Sequence, residues 1–154
     1  MPRDAMKPEE RLLLSNQLCF PIYRCARRIT RAYAPLLKDL DLTYTQYIVM
    51  MVMWERREVE EKKLCLLLDL DSGTLSPLIS KLCSRGLLSK ERLESDGRVL
   101  MISITPEGMA MRDKALCVPV QMGCAIKLKN KDEVRWLKDK LDRISKALGA
   151  SMSS

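Results

Sequence analysis

Histidine is absent from the 154-residue chain, and aromatic residues make up only 5% of it. Without imidazole there is no histidine-based zinc site, no serine–histidine or cysteine–histidine catalytic pair and no imidazole pH switch. The sequence also has no Cys-x-x-Cys pair, which argues against a zinc ribbon and a thioredoxin-like motif. We therefore expect neither a metal site nor a cofactor.

Long apolar runs are also missing. The longest, Tyr47–Trp54 and Leu64–Leu68, are far shorter than the ~18 residues that a membrane span needs. The segment Met1–Glu10 is charged and contains proline, so it lacks the apolar core of a signal peptide. We expect a cytoplasmic protein with no membrane partner. The content of 47% hydrophobic and 31% charged residues predicts one globular domain over residues 1–154.

Charge and cysteine content narrow the function further. The net charge of +7, from 27 Lys+Arg against 20 Asp+Glu, favours a polyanionic partner such as nucleic acid. A disulfide framework is not expected in a chain of this length without an export signal. We expect most of the thiols to be buried and to act as small hydrophobes. The six cysteines are Cys19, Cys25, Cys65, Cys83, Cys117 and Cys124.

The first third of the chain predicts two helices. Apolar residues at steps of three and four predict a long amphipathic helix over about 12–37, with Pro21 marking the start or a kink of its regular part. Thr43 and Gln46 match a capping box, which opens a nearly all-apolar helix that runs to about Trp54. A helix that is apolar on every side belongs in the middle of a fold.

A helix-turn-helix pattern follows. A short helix near Glu60–Leu68 and a tight turn at Asp69–Gly73 precede a second helix, which Asp71 or Ser72 caps and Gly86 ends. One face of that helix is apolar. The other combines small hydroxyls with cations and has no acid: Ser72, Thr74, Ser76, Ser80, Lys81 and Arg85.

The hydrophobic period then changes from 3.6 to 2. This predicts strands at Leu88–Arg92 and Val99–Ile104, joined by a turn at Glu94–Gly97. The result is a mostly α fold with a small β-wing, a winged helix-turn-helix over about 43–104, whose second helix enters the DNA major groove. The candidate DNA-binding residues are Ser72, Thr74, Ser76, Lys81, Lys90, Arg92, Arg98 and Asp96, which orients Arg98; Arg85 is a further phosphate contact.

The C-terminal third predicts partner helices. Thr105 and Pro106 restart a helix that runs to about Lys129, bent at Pro119 and Gly123. Asn130 and Glu133 cap a last helix with a coiled-coil-like seam. We expect that seam to meet a second copy of the chain, through dimerisation helices at about 12–37 and 106–149. The seam residues are Val134, Leu137, Leu141, Ile144 and Leu148.

Four segments carry a resemblance to a known family: Asn16–Phe20 (NQLCF), Tyr33–Leu37 (YAPLL), Leu42–Tyr47 (LTYTQY) and Leu70–Leu78 (LDSGTLSPL). From about Leu12 to Leu148 the chain resembles the organic-hydroperoxide-sensing repressors of the MarR family. The resemblance implies a homodimeric winged-helix repressor, not an enzyme, that binds a palindromic operator in double-stranded DNA. It also implies that an organic hydroperoxide releases the DNA by oxidising one N-terminal cysteine.

The resemblance identifies Cys19 as the sensor and Tyr33 and Tyr44 as the hydroxyls that assist it. A hydroxyl that donates to sulfur stabilises the thiolate and lowers the thiol pKa. The implied resolving thiol is Cys124 of the other subunit, with Cys117 or a small thiol as the alternatives. The remaining cysteines are expected to serve packing: Cys25, Cys65 and Cys83.

The sequence departs from the family pattern at three places and leaves two other functions open. Gly97 stands where the wing is usually acidic, Cys65–Leu67 is unusually apolar, and Pro21 replaces a helix former. One alternative is a repressor released by a non-covalent phenolic or amphipathic ligand. The other is a thiol peroxidase that uses Cys19, although the sequence lacks a recognisable arginine-assisted peroxidase motif.

Overall fold

The computed structural model describes residues 7–93, 96–127 and 130–152. It is mostly helical with one small antiparallel sheet, as predicted. The chain divides into two compact units, Met1–Leu116 and Cys117–Ser154. Besides three short 3₁₀ turns (Pro8–Leu12, Leu14–Asn16 and Lys38–Leu40), the elements are α1 (Cys19–Leu36), α2 (Tyr44–Arg56), β1 (Glu58–Glu60), α3 (Glu61–Leu68), α4 (Ser72–Ser84), β2 (Leu88–Leu93), β3 (Asp96–Ile104), α5 (Pro106–Ala115), α6 (Cys117–Ile126) and α7 (Lys131–Met152).

Local capping signals set several helix starts. The predicted capping box of α2 is present: Thr43 Oγ1 accepts from the Gln46 backbone N–H at 3.3 Å, and Gln46 Oε1 accepts from the Thr43 N–H at 2.9 Å. Thr105 caps α5 by accepting from the Gly108 N–H at 3.0 Å. Asn130 caps α7 by accepting from the Glu133 N–H at 2.9 Å. Each cap satisfies backbone donors that the first helical turn leaves unpaired.

The first helix begins later than its apolar periodicity predicted, and close to Pro21, which the sequence marked as the start or a kink of the regular helix. α1 starts at Cys19 rather than near Leu12, and two 3₁₀ turns precede it. Pro21 explains the difference, because a proline in a helix interior lacks the N–H for the bond to residue i−4 and clashes with that carbonyl. As the third residue of α1, Pro21 occupies a position whose N–H has no intrahelical partner.

The helix predicted over 106–129 is two helices. α5 ends at Ala115 and α6 begins at Cys117. Pro119 accounts for this break, because it has no N–H to donate to the carbonyl of Ala115 four residues earlier. Gly123 lies inside α6.

The sheet has the strand order β1–β3–β2, and both pairings are antiparallel. β2 and β3 form the predicted hairpin, with Leu88 opposite Ile104 and a register shift near Arg92. The turn residues 94 and 95 lie outside the described residues. β1 was not predicted; it pairs Glu58 with Ser103 and thereby ties the hairpin to the end of α2.

A buried apolar core holds the first of the two units, Met1–Leu116, together. Its members are apolar side chains that α2, α3, α4, the sheet and the turn after α1 direct inward, each contributing about 1.5–3 kcal/mol on full burial. Those exposed by 2% or less are Leu37, Tyr47, Val49, Met50, Met53, Leu64, Leu75, Ile79, Leu82 and Ile102. Within the described residues, no helix combines the length and the apolar character needed to cross a bilayer.

Gly108 lies where α5 packs closely against Leu87, just before β2, and against Ile104 at the end of β3. A Cβ atom added there would collide with the carbonyl of Leu87 and lie 2.8 Å from Cγ1 of Ile104. We predict that Gly108→Ala lowers the free energy of unfolding by about 1–3 kcal/mol, because backbone atoms cannot yield to it. Urea unfolding followed by far-UV circular dichroism at one protein concentration measures the change.

Gly123→Ala is the matched control for this substitution. Gly123 is also helical, and among the described residues no atom beyond its own stretch of helix lies within 4 Å of the added Cβ. It should stabilise the protein by up to about 1 kcal/mol, since alanine is the better helix former. Equal effects of the two substitutions would contradict the close packing at Gly108.

Candidate functional site

An aspartate cap holds the N-terminus of α4. Asp71 accepts from the Thr74 backbone N–H and from the Thr74 hydroxyl, each at 2.8 Å. These bonds, the hydroxyl's above all, hold the pKa of the Asp71 carboxyl below its usual range because they stabilise the charged form. Of the two predicted caps, Asp71 is the cap and Ser72 is the first helical residue.

The two faces of α4 differ as the sequence predicted. Leu75, Ile79 and Leu82 are buried in the core. The opposite face carries hydroxyls and a cation, and α4 contains no acidic residue. Ser76 on this helix is half-buried. Hydroxyl and ammonium groups of this kind contact phosphate oxygens and base edges in DNA complexes. The candidate contacts that are exposed on α4 are Ser72, Thr74 and Lys81.

Arg85 is not the outward-facing phosphate contact that the sequence predicted. Its guanidinium donates to the backbone carbonyls of Asp41 at 2.5 Å and Leu40 at 3.1 Å. It also lies 3.5 Å from the Asp41 carboxylate, and its side chain is only 25% exposed. The acceptors are 44 and 45 positions upstream, so no local pattern in the sequence reveals this contact.

The hairpin adds basic residues beside α4. Lys90 shares a face of β2 with the buried Leu88, and its ammonium donates to Ser80 Oγ on α4 at 3.1 Å. Arg92 is exposed further along β2. Asp96 and Arg98 lie on β3, but their side chains are outside the described ones. The predicted orientation of Arg98 by Asp96 therefore stays a prediction.

Tyr33 and Tyr44 lie side by side. Their ring centroids are 4.7 Å apart, and the ring centroid of Tyr47 lies 5.8 Å from that of Tyr33. Burial raises the pKa of Tyr33, and the neighbouring Tyr44 raises it further. The Tyr33 hydroxyl consequently keeps its proton at neutral pH and remains a hydrogen-bond donor.

An aromatic stack that sequence reasoning missed supports these tyrosines. Tyr47 is buried and contacts Trp54 edge-on, with 6.0 Å between the ring centroids. Trp54 in turn donates its indole N–H to the carbonyl of Gly108 at 2.8 Å. This chain of contacts connects the tyrosine pair to α5. The 54-residue gap between donor and acceptor hides the contact from any sequence window.

The expectation of mostly buried thiols is wrong for the single chain. Cys25, expected to pack, is exposed on α1, whereas Cys65 and Cys83 are half-buried. Burial raises the pKa of both half-buried thiols; nearby Glu61 and Asp71 raise that of Cys65 further, and Lys90 partly offsets the rise at Cys83. The exposed thiols are Cys19, Cys25, Cys117 and Cys124.

Cys19 and Tyr33 stand at opposite ends of α1. Cys19 is the first helical residue and is exposed. Tyr33 comes 14 positions later, which at ~1.5 Å per residue is about 21 Å along the axis. The structure brings Tyr33 and Tyr44 together, but it does not bring Cys19 to them within one chain.

α1 also carries a basic face that sequence reasoning overlooked. Four arginines and two aromatic residues line one groove along this helix, and α1 has no acidic residue. Two guanidinium groups lie over the rings, 5.4 Å from Phe20 and 5.6 Å from Tyr23. The i, i+3, i+4, i+7 spacing was the available signal. The arginines are Arg24, Arg27, Arg28 and Arg31.

Comparison with known proteins gives concordant sequence matches. A family model described as the transcriptional regulator SarA/Rot matches residues 31–115. The organic hydroperoxide resistance transcriptional regulator of Bacillus subtilis is 39% identical over 110 residues, which cover 71% of this chain and 75% of that protein.

Solved structures agree with these matches. The chain is similar to AbfR of Staphylococcus epidermidis, solved in a reduced form bound to DNA, with a TM-score of 0.76 and 30% identity over 92% of this chain and 99% of that one. A disulfide-formed AbfR matches with a TM-score of 0.61 and 28% identity over 95% and 97%. The chain therefore belongs to the winged-helix transcriptional regulators of the MarR family, and within it is similar to the SarA/Rot and organic hydroperoxide resistance regulators.

Proposed function

We propose that the protein is a homodimeric repressor that binds a palindromic operator in double-stranded DNA and releases it when an organic hydroperoxide oxidises Cys19. The observation that carries this proposal is the arrangement along α1. An exposed thiol begins the helix, and a pair of tyrosine hydroxyls lies about four turns further on. A two-fold interface forms every contact between unlike residues twice, so each thiol can meet the tyrosine pair of the other chain.

Dimerisation would supply what one chain lacks. Apolar side chains of α7 remain 38–61% exposed in the single chain, Leu137 and Leu148 among them. Their spacing is that of a helix seam, and a second copy of the chain would cover it. A dimer with the helices antiparallel would bring Cys19 to Tyr33 and Tyr44 of the partner subunit.

Three features of such a site would complement a nucleophilic sulfur at Cys19. The N-terminus of a helix stabilises an anion, and Cys19 is the first residue of α1. The first turn of α1 contains no acidic residue to oppose the charge. Tyr33, whose raised pKa keeps its hydroxyl protonated, would donate to the sulfur.

The oxidation of Cys19 in such a site needs only the organic hydroperoxide as the oxidant. The thiolate attacks the outer oxygen of the O–O bond, so Cys19 becomes a sulfenic acid and an alkoxide leaves, which takes a proton to become the alcohol. A second thiol next displaces water from the sulfenic acid and forms a disulfide. We assign that role to Cys124 of the partner subunit; Cys117, one heptad earlier on α6, is the alternative.

DNA binding would use α4 and the wing. Helix α4 enters the major groove, where Ser72, Thr74 and Ser76 contact phosphates or base edges, and Lys81 contacts the backbone. Lys90, Arg92 and Arg98 of the hairpin contact the adjacent backbone or minor groove, with Asp96 orienting Arg98. Two half-sites about one turn of DNA apart tolerate little change in the spacing of the two α4 helices. A shift of the dimer helices on oxidation would therefore release the DNA.

Loss of Cys19 should remove the peroxide response but not DNA binding. We predict that Cys19→Ser binds the operator as the wild type does and needs a cumene hydroperoxide concentration at least about tenfold higher for release, because the serine hydroxyl is not an effective nucleophile for peroxide. Gel-shift titration measures this on a labelled palindromic duplex that the wild-type protein has selected from a random library.

Cys25→Ser is the control, because Cys25 is another exposed thiol on the same helix. It should respond as the wild type does. Mass spectrometry of the oxidised wild type should map a Cys19–Cys124 disulfide. Release of Cys19→Ser at the wild-type peroxide concentration would refute the sensor assignment and favour a non-covalent ligand as the signal.

Removing one candidate phosphate contact should change the salt dependence of binding. Lys81→Gln removes two cations from a dimer, so the slope of log affinity against log salt should become shallower by about 2. Lys138→Gln on α7 is the control and should leave the slope unchanged. Fluorescence anisotropy of a labelled duplex, measured over a salt range of about 50 to 300 mM, gives the slope for each variant. An unchanged slope for Lys81→Gln would show that Lys81 contacts no phosphate.

A further inference from the structure

Arg85 connects the helix that carries the candidate DNA contacts to the turn that follows the helix with the candidate sensor thiol. It is the C-cap residue of α4, the helix that carries the candidate DNA contacts. Its guanidinium donates to the carbonyls of Leu40 and Asp41. Both carbonyls belong to the turn that follows α1, the helix that begins at Cys19.

The acceptor side of this contact is firmly attached to α1. Leu37, Leu40 and Leu42 are 0%, 4% and 7% exposed, so the turn is anchored in the core. The backbone N–H of Leu42 donates to the Leu37 carbonyl, which closes the turn directly after α1. A displacement of the end of α1 therefore moves the carbonyls of Leu40 and Asp41 with it.

The donor, Arg85, is attached to α4 and to the residues that lead from α4 into β2. Residue 86, next to Arg85, has the positive φ of 70° that ends the helix, and its carbonyl accepts from the Thr105 hydroxyl at 2.6 Å. The N–H of Leu87 donates back to the Leu82 carbonyl in the last turn of α4. A displacement of Arg85 therefore moves the end of α4 and the beginning of the hairpin together.

Charge and geometry make arginine suited to this place. The planar guanidinium presents several donors in a fixed fork, so it can bind two neighbouring carbonyls at once. A cation at the C-terminus of α4 also interacts favourably with the helix dipole. The ion pair with Asp41 adds little, because the Asp41 side chain is 91% exposed. The contact therefore depends mainly on the two backbone acceptors.

We propose that Arg85 is the positioning residue that transmits a movement of α1 to α4, so that oxidation of Cys19 changes the placement of the DNA-binding helix. This inference rests on the proposed function. It assigns Arg85 a role in the response to peroxide and none in the chemistry at Cys19. Removing the guanidinium should consequently separate oxidation from DNA release.

The test compares operator affinity before and after oxidation, on the same selected duplex. For the wild type we expect oxidation to weaken binding by about fiftyfold, within the usual range of allosteric coupling. For Arg85→Met we expect a ratio of about fivefold or less. The rate of Cys19 sulfenic acid formation, measured by dimedone trapping and mass spectrometry, should stay at the wild-type value in both proteins.

Two matched variants separate this role from general effects of substitution. Arg56→Met removes an exposed arginine at the end of α2 and should keep the wild-type ratio. Asp41→Asn removes the ion pair but keeps both carbonyls, so it should also keep the ratio. If Arg85→Met does not fold, Arg85→Lys replaces it, since one ammonium cannot reproduce the two-carbonyl fork and should lower the ratio.

A wild-type affinity ratio in the Arg85 variant would overturn the inference, and so would a loss of affinity that is equal in the reduced and oxidised states. Slower oxidation of Cys19 in that variant would also contradict it, because it would place Arg85 in the sensor. If the wild-type protein itself binds the duplex but is neither oxidised at Cys19 nor released, the proposed function fails, and the inference fails with it.

Discussion

The stiffness of α1 is the constraint on which the account depends. A helix that begins at Cys19 and runs beyond Tyr33 keeps the backbone positions of these two residues about 21 Å apart along its axis. No side-chain rotation closes that distance. A sensor made of these groups must therefore combine two chains, which makes dimerisation part of the chemistry as well as of operator recognition. The apolar seam of α7, exposed in the single chain, has the spacing that such a dimer needs.

Packing within residues 43–104 determines which side chains of α4 remain available as candidate DNA contacts. α4 buries Leu75, Ile79 and Leu82, and its hydroxyls and Lys81 face outward as a result. The end of the same helix is tied through Arg85 to the turn after α1. The tyrosine pair is tied through a buried aromatic stack to α5. The groups proposed for sensing and those proposed for DNA binding thus belong to one packed part of the chain.

Local signals predicted most of the architecture. The caps at Thr43 and Thr105 and the glycine after α4 act within four residues, so a sequence window contains all that determines them. Two prolines made the helices shorter than the hydrophobic periodicity predicted. Pro21 lies in the first turn of α1 and Pro119 in the first turn of α6, where each marks the start of a helix. The fold class needed only these patterns and the change of hydrophobic period at the wing.

What the sequence did not reveal depends on distant contacts. β1 is three residues long and exists because it pairs with Ser103 and its neighbours, more than 40 positions away. The acceptors of Arg85 and of Trp54 are similarly remote, so the sequence suggested a phosphate contact for Arg85 and nothing for Trp54. Cys25 is exposed although the sequence pattern assigns it to packing. Helical spacing shows which residues share a face of a helix, but it does not show what covers that face.

Subunit complementation tests the central claim most directly. One chain carries Cys19→Ser and the other carries Tyr33→Phe and Tyr44→Phe, so that each homodimer lacks half of every site. In a mixed dimer, the remaining Cys19 meets intact tyrosines only if they belong to the other chain. We predict that mixing restores fast sulfenic acid formation at one site per dimer. Oxidation that stays as slow as in the homodimer that carries Tyr33→Phe and Tyr44→Phe would contradict a sensor built from two chains.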